Sequence, residues 1–228
     1  MEFDNQFAIV ASLIGEPARA TMLWNLLDGK AYTAGELALS AGLSAQSASN
    51  HLNKLIEAEL LKMEKQGKHR YYRFAKPEVA YAIEAIANLV PPKAKAAPQK
   101  QFANGDIQFA RTCYDHLAGK IAVGLAQSLV QQKIIKLQGE EYVVTKTGTA
   151  WFDKLGIDVE AVQQQKRAFA RPCLDWTERK YHLAGSLGAA LLDQMLAKNW
   201  LRRKPNERTV VLTGKGERAL QELGIKLL

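Results

Sequence analysis

The chain has 228 residues, of which 31 are Lys or Arg and 23 are Asp or Glu, so its formal net charge is +8. Hydrophobic residues make up 47% of the sequence, which excludes a mainly disordered chain. The length allows one large domain or two small ones. The longest uncharged apolar stretch near the start, 7–15, is short and follows acidic residues. We therefore expect neither a signal peptide nor a membrane span, but a cytoplasmic protein whose positive charge favours a polyanion partner such as nucleic acid.

The first elements along the chain are predicted to be helices. Residues 7–27 carry apolar side chains at helical spacing, and the interruption at 15–17 predicts two consecutive helices. Residues 33–42 begin with a capping-box pattern and end at a glycine, which predicts a third, short helix. Residues 44–58 predict a fourth helix with an apolar stripe on one side and small polar groups on the other. A short helix, a tight turn and a second helix with a polar outer face are typical of a helix-turn-helix.

A basic hairpin is predicted next. Two strand-like runs, 60–64 and 69–74, flank a turn that contains Gly67. Residues 62–76 hold six basic residues and one acidic residue, and a hairpin with this charge is suited to phosphate and minor-groove contact. The simpler alternatives, a solvated hairpin and a merely amphipathic helix, stay open. The predicted DNA-contacting residues are Ser44, Gln46, Ser47, Ser49, Asn50, His51 and Lys54 of the helix, and Lys65, Lys68, His69, Arg70 and Tyr72 of the hairpin.

The second half of the chain repeats itself. The patterns Arg-x-Cys-x-Asp and His-Leu-Ala-Gly each occur twice, once in residues 111–119 and once in residues 171–185. Two small units with a shared pattern are expected to pack together. The predicted fold is mainly α with small β-hairpins. It comprises a winged helix-turn-helix DNA-binding domain (1–90), a linker (91–110) and a C-terminal domain (111–228) of two α-β-β-α repeats (about 111–158 and 171–228). The first helices of the repeats are placed at 114–133 and 180–198.

Matched polar residues in the two repeats are candidates for a sensor. If the repeats pack with approximate two-fold symmetry, the two cysteines lie near each other and could act as a redox or metal sensor. Buried cysteines that act as small hydrophobic residues are the alternative, and the aromatic residues of the repeats could line an organic-ligand pocket or belong to the core. The candidate sensor residues are Cys113, Cys173, Asp115, His116 and His182, and the sequence itself assigns no metal site and no cofactor.

Residues 7–90 resemble the ArsR family of bacterial transcriptional repressors. The resemblance rests on Gly15-Glu16-Pro17-Ala18-Arg19, on the stretch 42–55 with its Ser47, Ser49, His51 and Leu52, and on the hairpin residues 67–72. The repeats are similar to an extension of some longer members. The resemblance implies a homodimer, built through the first and last helices of the winged domain, that binds an operator with two-fold character. An apolar stripe in 77–90 suits this packing, although it suits an intradomain core equally well.

Two sensor sites of that family are missing. Many of its members sense metals or metalloids through cysteines on the helix that begins near Glu36, or through His and acidic residues on the dimer helix. Here the first of these helices has no Cys and the dimer helix has no His. Metalloid or zinc sensing by those routes is not expected. We therefore predict a homodimeric DNA-binding repressor that is released by an unidentified signal. The alternative is a winged-helix protein-interaction module, and an enzyme is not expected because no GxGxxG, phosphate-loop or GxSxG motif is found.

Overall fold

The computed structural model describes residues 2–67, 69–90, 106–205 and 207–225. The chain forms two compact units, divided between residues 103 and 104. Helices predominate and the strands form small antiparallel sheets, which confirms the predicted fold class. Among the described residues, no helix is both long and apolar enough to cross a membrane.

The first unit combines helices with a three-stranded antiparallel sheet in the order β1-β3-β2. Its core consists largely of leucines from α2, α3 and α4 and from the short 3-10 turn after α2. The elements are α1 (Glu2–Gly15), α2 (Pro17–Asn25), β1 (Tyr32–Thr33), α3 (Ala34–Ala41), α4 (Ala45–Glu57), β2 (Leu61–Gln66), β3 (His69–Phe74) and α5 (Pro77–Asn88).

Local signals in the sequence set the helix ends of this unit. Glu16 caps α2 and Pro17 occupies its first turn, so α1 and α2 are separate helices as predicted. Thr33 and Glu36 form the predicted capping box of α3. Gly42 ends α3 with φ of 65°, a left-handed conformation that favours glycine.

The second unit contains two copies of the same order of elements: hairpin, helix, hairpin, helix. Short helices, α6 (Asp106–Phe109) and α9 (Val159–Gln163), precede each copy. The first copy contains β4 (Arg111–Cys113), β5 (His116–Ala118), α7 (Lys120–Gln131), β6 (Ile135–Gln138), β7 (Glu141–Val144) and α8 (Lys146–Leu155). The second contains β8 (Arg171–Leu174), β9 (Tyr181–Ala184), α10 (Gly185–Ala197), β10 (Leu201–Arg203), β11 (Val210–Leu212) and α11 (Gly214–Glu222).

Three predicted boundaries are wrong. Residues 114–119 and 180–184 belong to hairpins and not to helices, because α7 and α10 begin only where Gly119 and Gly185 turn the backbone at φ of 89° and 86°. The predicted linker 91–110 is too long, because residues 106–110 are folded and Ile107 and Ala110 are buried in the second unit. The rest of that linker, 91–105, lies outside the described residues.

The two copies interlock. Helix α7 packs against β9 of the other copy, α10 packs against β5, and the hairpin strands β5 and β9 contact each other. One hydrophobic cluster runs through both copies and includes Leu129 and Phe152 of the first and Leu187 and Leu192 of the second. Neither copy buries its apolar residues without the other, as expected for small repeated units.

Candidate functional site

Helix α4 is held in place by its first turn and by its apolar side. The Oγ of Ser44 accepts a hydrogen bond from the backbone N–H of Ser47 at 3.2 Å and caps the helix. Ser49 donates to the carbonyl of Ala45 at 2.9 Å. The buried residues of α4, which pack into the first unit, are Ala48, Leu52 and Leu55.

The other side of α4 presents polar groups to solvent. Gln46, Asn50 and Lys54 are exposed and follow one another at intervals of four residues, so they lie along one side of the helix. Asn53 is exposed beside them and was not predicted as a contact. Its position three residues after Asn50 is the signal that would have found it. This face has donors and acceptors of the size that the major groove admits.

His51 faces the corner between α1 and α2. Its Nδ1 lies 3.3 Å from Oε2 of Glu16 and 3.4 Å from Nη1 of Arg19. Arg19 also donates to the last carbonyls of α1, those of Leu13 at 2.7 Å and Ser12 at 3.1 Å. Burial raises the pKa of Glu16, but the backbone N–H groups of Arg19 and Ala18 outweigh it, so the pKa lies below its usual range. Through its contacts with Glu16 and Arg19, the half-buried His51 connects α4 to this corner.

The hairpin of β2 and β3 carries the wing charges. Lys65 pairs with Arg70 across the two strands, and both are exposed, as is His69. Like charges directly opposite each other destabilise a hairpin unless an anion lies near them. Arg73 of the same hairpin pairs with Glu64.

One predicted wing contact is corrected. Tyr72 is only 5% exposed, because alternate side chains of β3 point into the unit, so it belongs to the core rather than to a binding surface. The predicted contact Lys68 lies outside the described residues.

The second unit brings four of the five predicted sensor residues together. Cys113 and His116 face each other across β4 and β5, and Cys173 and His182 do so across β8 and β9. The ligand atoms of these four side chains all lie within 4.8 Å of one another. The two Nε2 atoms of the histidines are 3.1 Å apart. Both histidines are buried and both cysteines are half-buried.

A carboxylate lies behind each of these histidines. The Nδ1 of His116 is 3.4 Å from Oδ1 of Asp115, the fifth predicted residue, and the Nδ1 of His182 is 3.4 Å from Oδ2 of Asp175. Asp115 also pairs with Arg167, while Asp175 accepts from Nη2 of Arg111 at 3.0 Å. Arg111 lies in the strand β4, and its guanidinium reaches Asp175 of the other copy.

Charge and burial act against each other in this cluster. Burial raises the pKa of Asp175, but His182, Arg111 and Thr177 outweigh it and hold the pKa well below its usual range. Burial lowers the pKa of His182, whereas Asp175 and Cys113 outweigh this and raise the pKa above its ordinary value. Asp175 is thus held in its ionised form, and its negative charge beside His182 favours a positive charge at that ring.

Comparison with known proteins identifies the family. No protein-family model matches the chain. The uncharacterized HTH-type transcriptional regulator YdfF of Bacillus subtilis strain 168 is 46% identical over 222 residues, which are 96% of this chain and 98% of YdfF. The chain belongs to the helix-turn-helix-type transcriptional regulators. The match with YdfF spans both units, so the second unit of this regulator is shared with its relative.

Solved structures similar to this regulator cover a smaller part of it. The homodimeric winged helix-turn-helix DNA-binding domain of Mb0332 from Mycobacterium bovis covers 37% of this chain and 78% of its own, with 24% identity and a TM-score of 0.35. NolR from Sinorhizobium fredii is 27% identical over 38% of this chain and 85% of its own, with a TM-score of 0.35. The transcriptional repressor BigR from Xylella fastidiosa is 20% identical over 40% of this chain and 91% of its own, with a TM-score of 0.36.

Proposed function

We propose that this regulator binds double-stranded operator DNA with α4 in the major groove and the β2–β3 hairpin against the phosphate backbone. The observation that carries the proposal is the line of exposed Gln46, Asn50 and Lys54 on a helix whose opposite side is fixed in the core. Side-chain amides read base edges and lysine neutralises phosphate. The facing cations Lys65 and Arg70 supply a second phosphate contact.

Within this proposal His51 is a positioning residue. Its contacts with Glu16 and Arg19 fix the angle at which α4 leaves the corner of α1 and α2. The side chains at the corner of α1 and α2 are therefore already ordered when the exposed face of α4 binds the groove. Ser44 and Ser47 lie at the first turn of α4, where the helix dipole favours a phosphate.

The regulator acts as a homodimer in this proposal. Helix α1 exposes large apolar residues, with Phe3 80% and Phe7 67% exposed, and Leu89 directly after α5 is 81% exposed. Exposed apolar side chains of this size mark an interaction surface. A second copy of the chain is the occupant we assign, because two symmetry-related α4 helices read two half-sites about 34 Å apart and so raise specificity. Ile83 of α5 is buried whereas Ile86 is 46% exposed, so in this proposal α5 supplies both intradomain core and dimer contact.

The biological role that follows is repression in the cytoplasm, relieved by a signal, with no catalytic step. A regulator bound to an operator blocks transcription until something lowers its affinity. The second unit is where we place the response to that signal, since its Cys and His side chains form a group that could hold a metal ion.

DNA binding is tested by gel shift and footprinting on the DNA upstream of the protein's own coding region. We expect Lys54→Ala to weaken binding to all sequences and to reduce the dependence of log affinity on log salt by about one unit. Asn50→Ala should cost about 1–3 kcal/mol on the operator and less on unrelated DNA. Lys154→Ala, which removes an exposed lysine from α8 of the second unit, is the matched control. Unchanged footprints for both α4 variants would reject α4 as the reading helix.

The alternative function, a protein-interaction module, makes a different prediction. A winged helix used only for protein contacts has no salt-dependent affinity for DNA. The dimer is tested separately by sedimentation of Phe7→Glu and Leu89→Glu, which should be monomeric at concentrations where the wild type is dimeric. Wild-type sedimentation as a monomer would contradict the homodimer directly.

A further inference from the structure

We infer that the four side chains Cys113, His116, Cys173 and His182 form a tetrahedral site for one Zn²⁺-class divalent ion, which joins the two repeats of the second unit. The site does not depend on the DNA-binding proposal. Each hairpin supplies one thiol and one imidazole from directly opposite positions of its two strands.

The spacing of the ligand atoms fits such an ion. In a regular tetrahedron with the usual zinc bond lengths, two nitrogens are about 3.3 Å apart and two sulfurs about 3.8 Å apart. The two Nε2 atoms here are 3.1 Å apart, and all four ligand atoms lie within 4.8 Å of one another. The separation of the two nitrogens is therefore about 0.2 Å shorter than the tetrahedral value.

The tautomers of the histidines also fit. Asp115 and Asp175 each place a carboxylate oxygen 3.4 Å from the adjacent Nδ1, and its negative charge favours a proton on that nitrogen. In that tautomer the Nε2 atom of each ring carries the lone pair, and the two Nε2 atoms lie 3.1 Å apart. Two such lone pairs repel unless a cation lies between them. A carboxylate behind a ligating histidine is the usual support for the imidazole of a metal site.

The choice of metal follows from the donors. Two thiolates and two imidazoles in a tetrahedral arrangement select zinc over magnesium or calcium, which prefer oxygen ligands. On binding, the two Cys thiols each lose a proton to solvent, so the ion and the two thiolates are neutral together. The half-buried cysteines leave a path by which an ion can enter, while the buried histidines form the floor of the site.

The alternative occupants are a shared proton between the histidines and a disulfide between the cysteines. The experiment uses the full chain, reduced, stripped with a chelator, and then titrated with Co²⁺ and Zn²⁺. We expect one Co²⁺ per chain, with the visible absorption of tetrahedral cobalt and a thiolate-to-cobalt charge-transfer band, and displacement by Zn²⁺. A reduced wild-type chain without this spectrum would overturn the inference, whether or not oxidation links the cysteines.

Variants locate the ion at these residues. The double variant Cys113→Ser, Cys173→Ser should lose the charge-transfer band and weaken Zn²⁺ binding by at least about 100-fold. Asp115→Asn should weaken Zn²⁺ binding about 10- to 100-fold and leave the spectrum tetrahedral. His69→Gln removes an exposed histidine of the wing and is the matched control, since the chain has four histidines and two cysteines in all. An unchanged spectrum in the double variant would place the ion elsewhere and refute the site.

Discussion

The buried ion pair of Arg111 with Asp175 makes the sharpest prediction about the second unit. Both side chains are at most 1% exposed, with Nη2 and Oδ2 3.0 Å apart. Removing one partner of a buried pair leaves the other charge without compensation and costs about 3–5 kcal/mol. In Arg111→Met, Asp175 keeps other donors, including the backbone N–H of Gly119 at 2.7 Å and of Thr177 at 2.9 Å. We therefore expect the lower end of the range, about 3 kcal/mol.

Urea denaturation with tryptophan fluorescence measures this loss. Trp176 is a suitable reporter because the guanidinium of Arg111 lies 4.6 Å from its ring centroid. At a slope of about 2 kcal/mol per molar urea, the midpoint of the second unit should fall by about 1.5 M. Excess chelator throughout separates the effect from metal binding. The control is Arg171→Met, which changes the matched but exposed arginine of the other repeat and should shift the midpoint by less than about 0.3 M. Equal shifts for the two variants would refute the buried-pair argument.

Three further predictions concern stability. The pKa of Glu16 lies below its usual range in the folded chain, so its ionised form stabilises the fold above pH about 4.3, and this stabilisation is lost as the pH falls through the folded pKa. The difference in stability between wild type and Glu16→Gln, measured by urea titration, should therefore shrink towards acid pH. A difference that stays constant with pH would contradict this prediction. Gly185→Ala should lower the melting temperature clearly, since its backbone is left-handed and a Cβ would lie 2.5 Å from the carbonyl oxygen of Phe169, whereas Gly139→Ala, also left-handed but in open space, should lower it much less. Leu52→Ala should destabilise the first unit by about 2–5 kcal/mol in the same titrations, because Leu52 is fully buried.

Short-range signals predicted the first unit well. The break between α1 and α2 follows from an acidic cap before a proline, and the end of α3 follows from a glycine with positive φ. Both signals act within a few residues, so they can be read without the fold. The same holds for the exposed face of α4, which follows from helical spacing alone. Tyr72 was wrongly predicted to contact DNA because the sequence indicated a strand but not which of its two faces is buried. That face depends on the register of the strand in the sheet.

Long-range pairing limited what the sequence could predict in the second unit. Strands β4 and β5 have three residues each, and an important partner of β5 is β9, far away in the chain. The apolar residues after His116 have helical spacing, so the helix was predicted to begin at residue 114, whereas α7 begins at Lys120. Arg111 and Asp115 likewise have the spacing of a helical ion pair. Arg111 instead pairs with Asp175, which is 64 residues away in the sequence, and a local sequence pattern cannot predict a contact over that separation.

The packing of the two copies explains why the Cys and His residues of the motif are repeated. Cys and His occupy matched positions because each hairpin contributes one pair to a common cluster. The Arg and Asp positions are matched in sequence but not in role, since Arg111 is buried against Asp175 while Arg171 is exposed. The proposed ion would receive one thiolate and one imidazole from each copy, while the carboxylates behind the two histidines differ. Asp175 is buried in the core, and Asp115 is half-buried and pairs with Arg167. The half-buried carboxylate of Asp115 is therefore the place where a substitution should tune metal affinity without unfolding the unit.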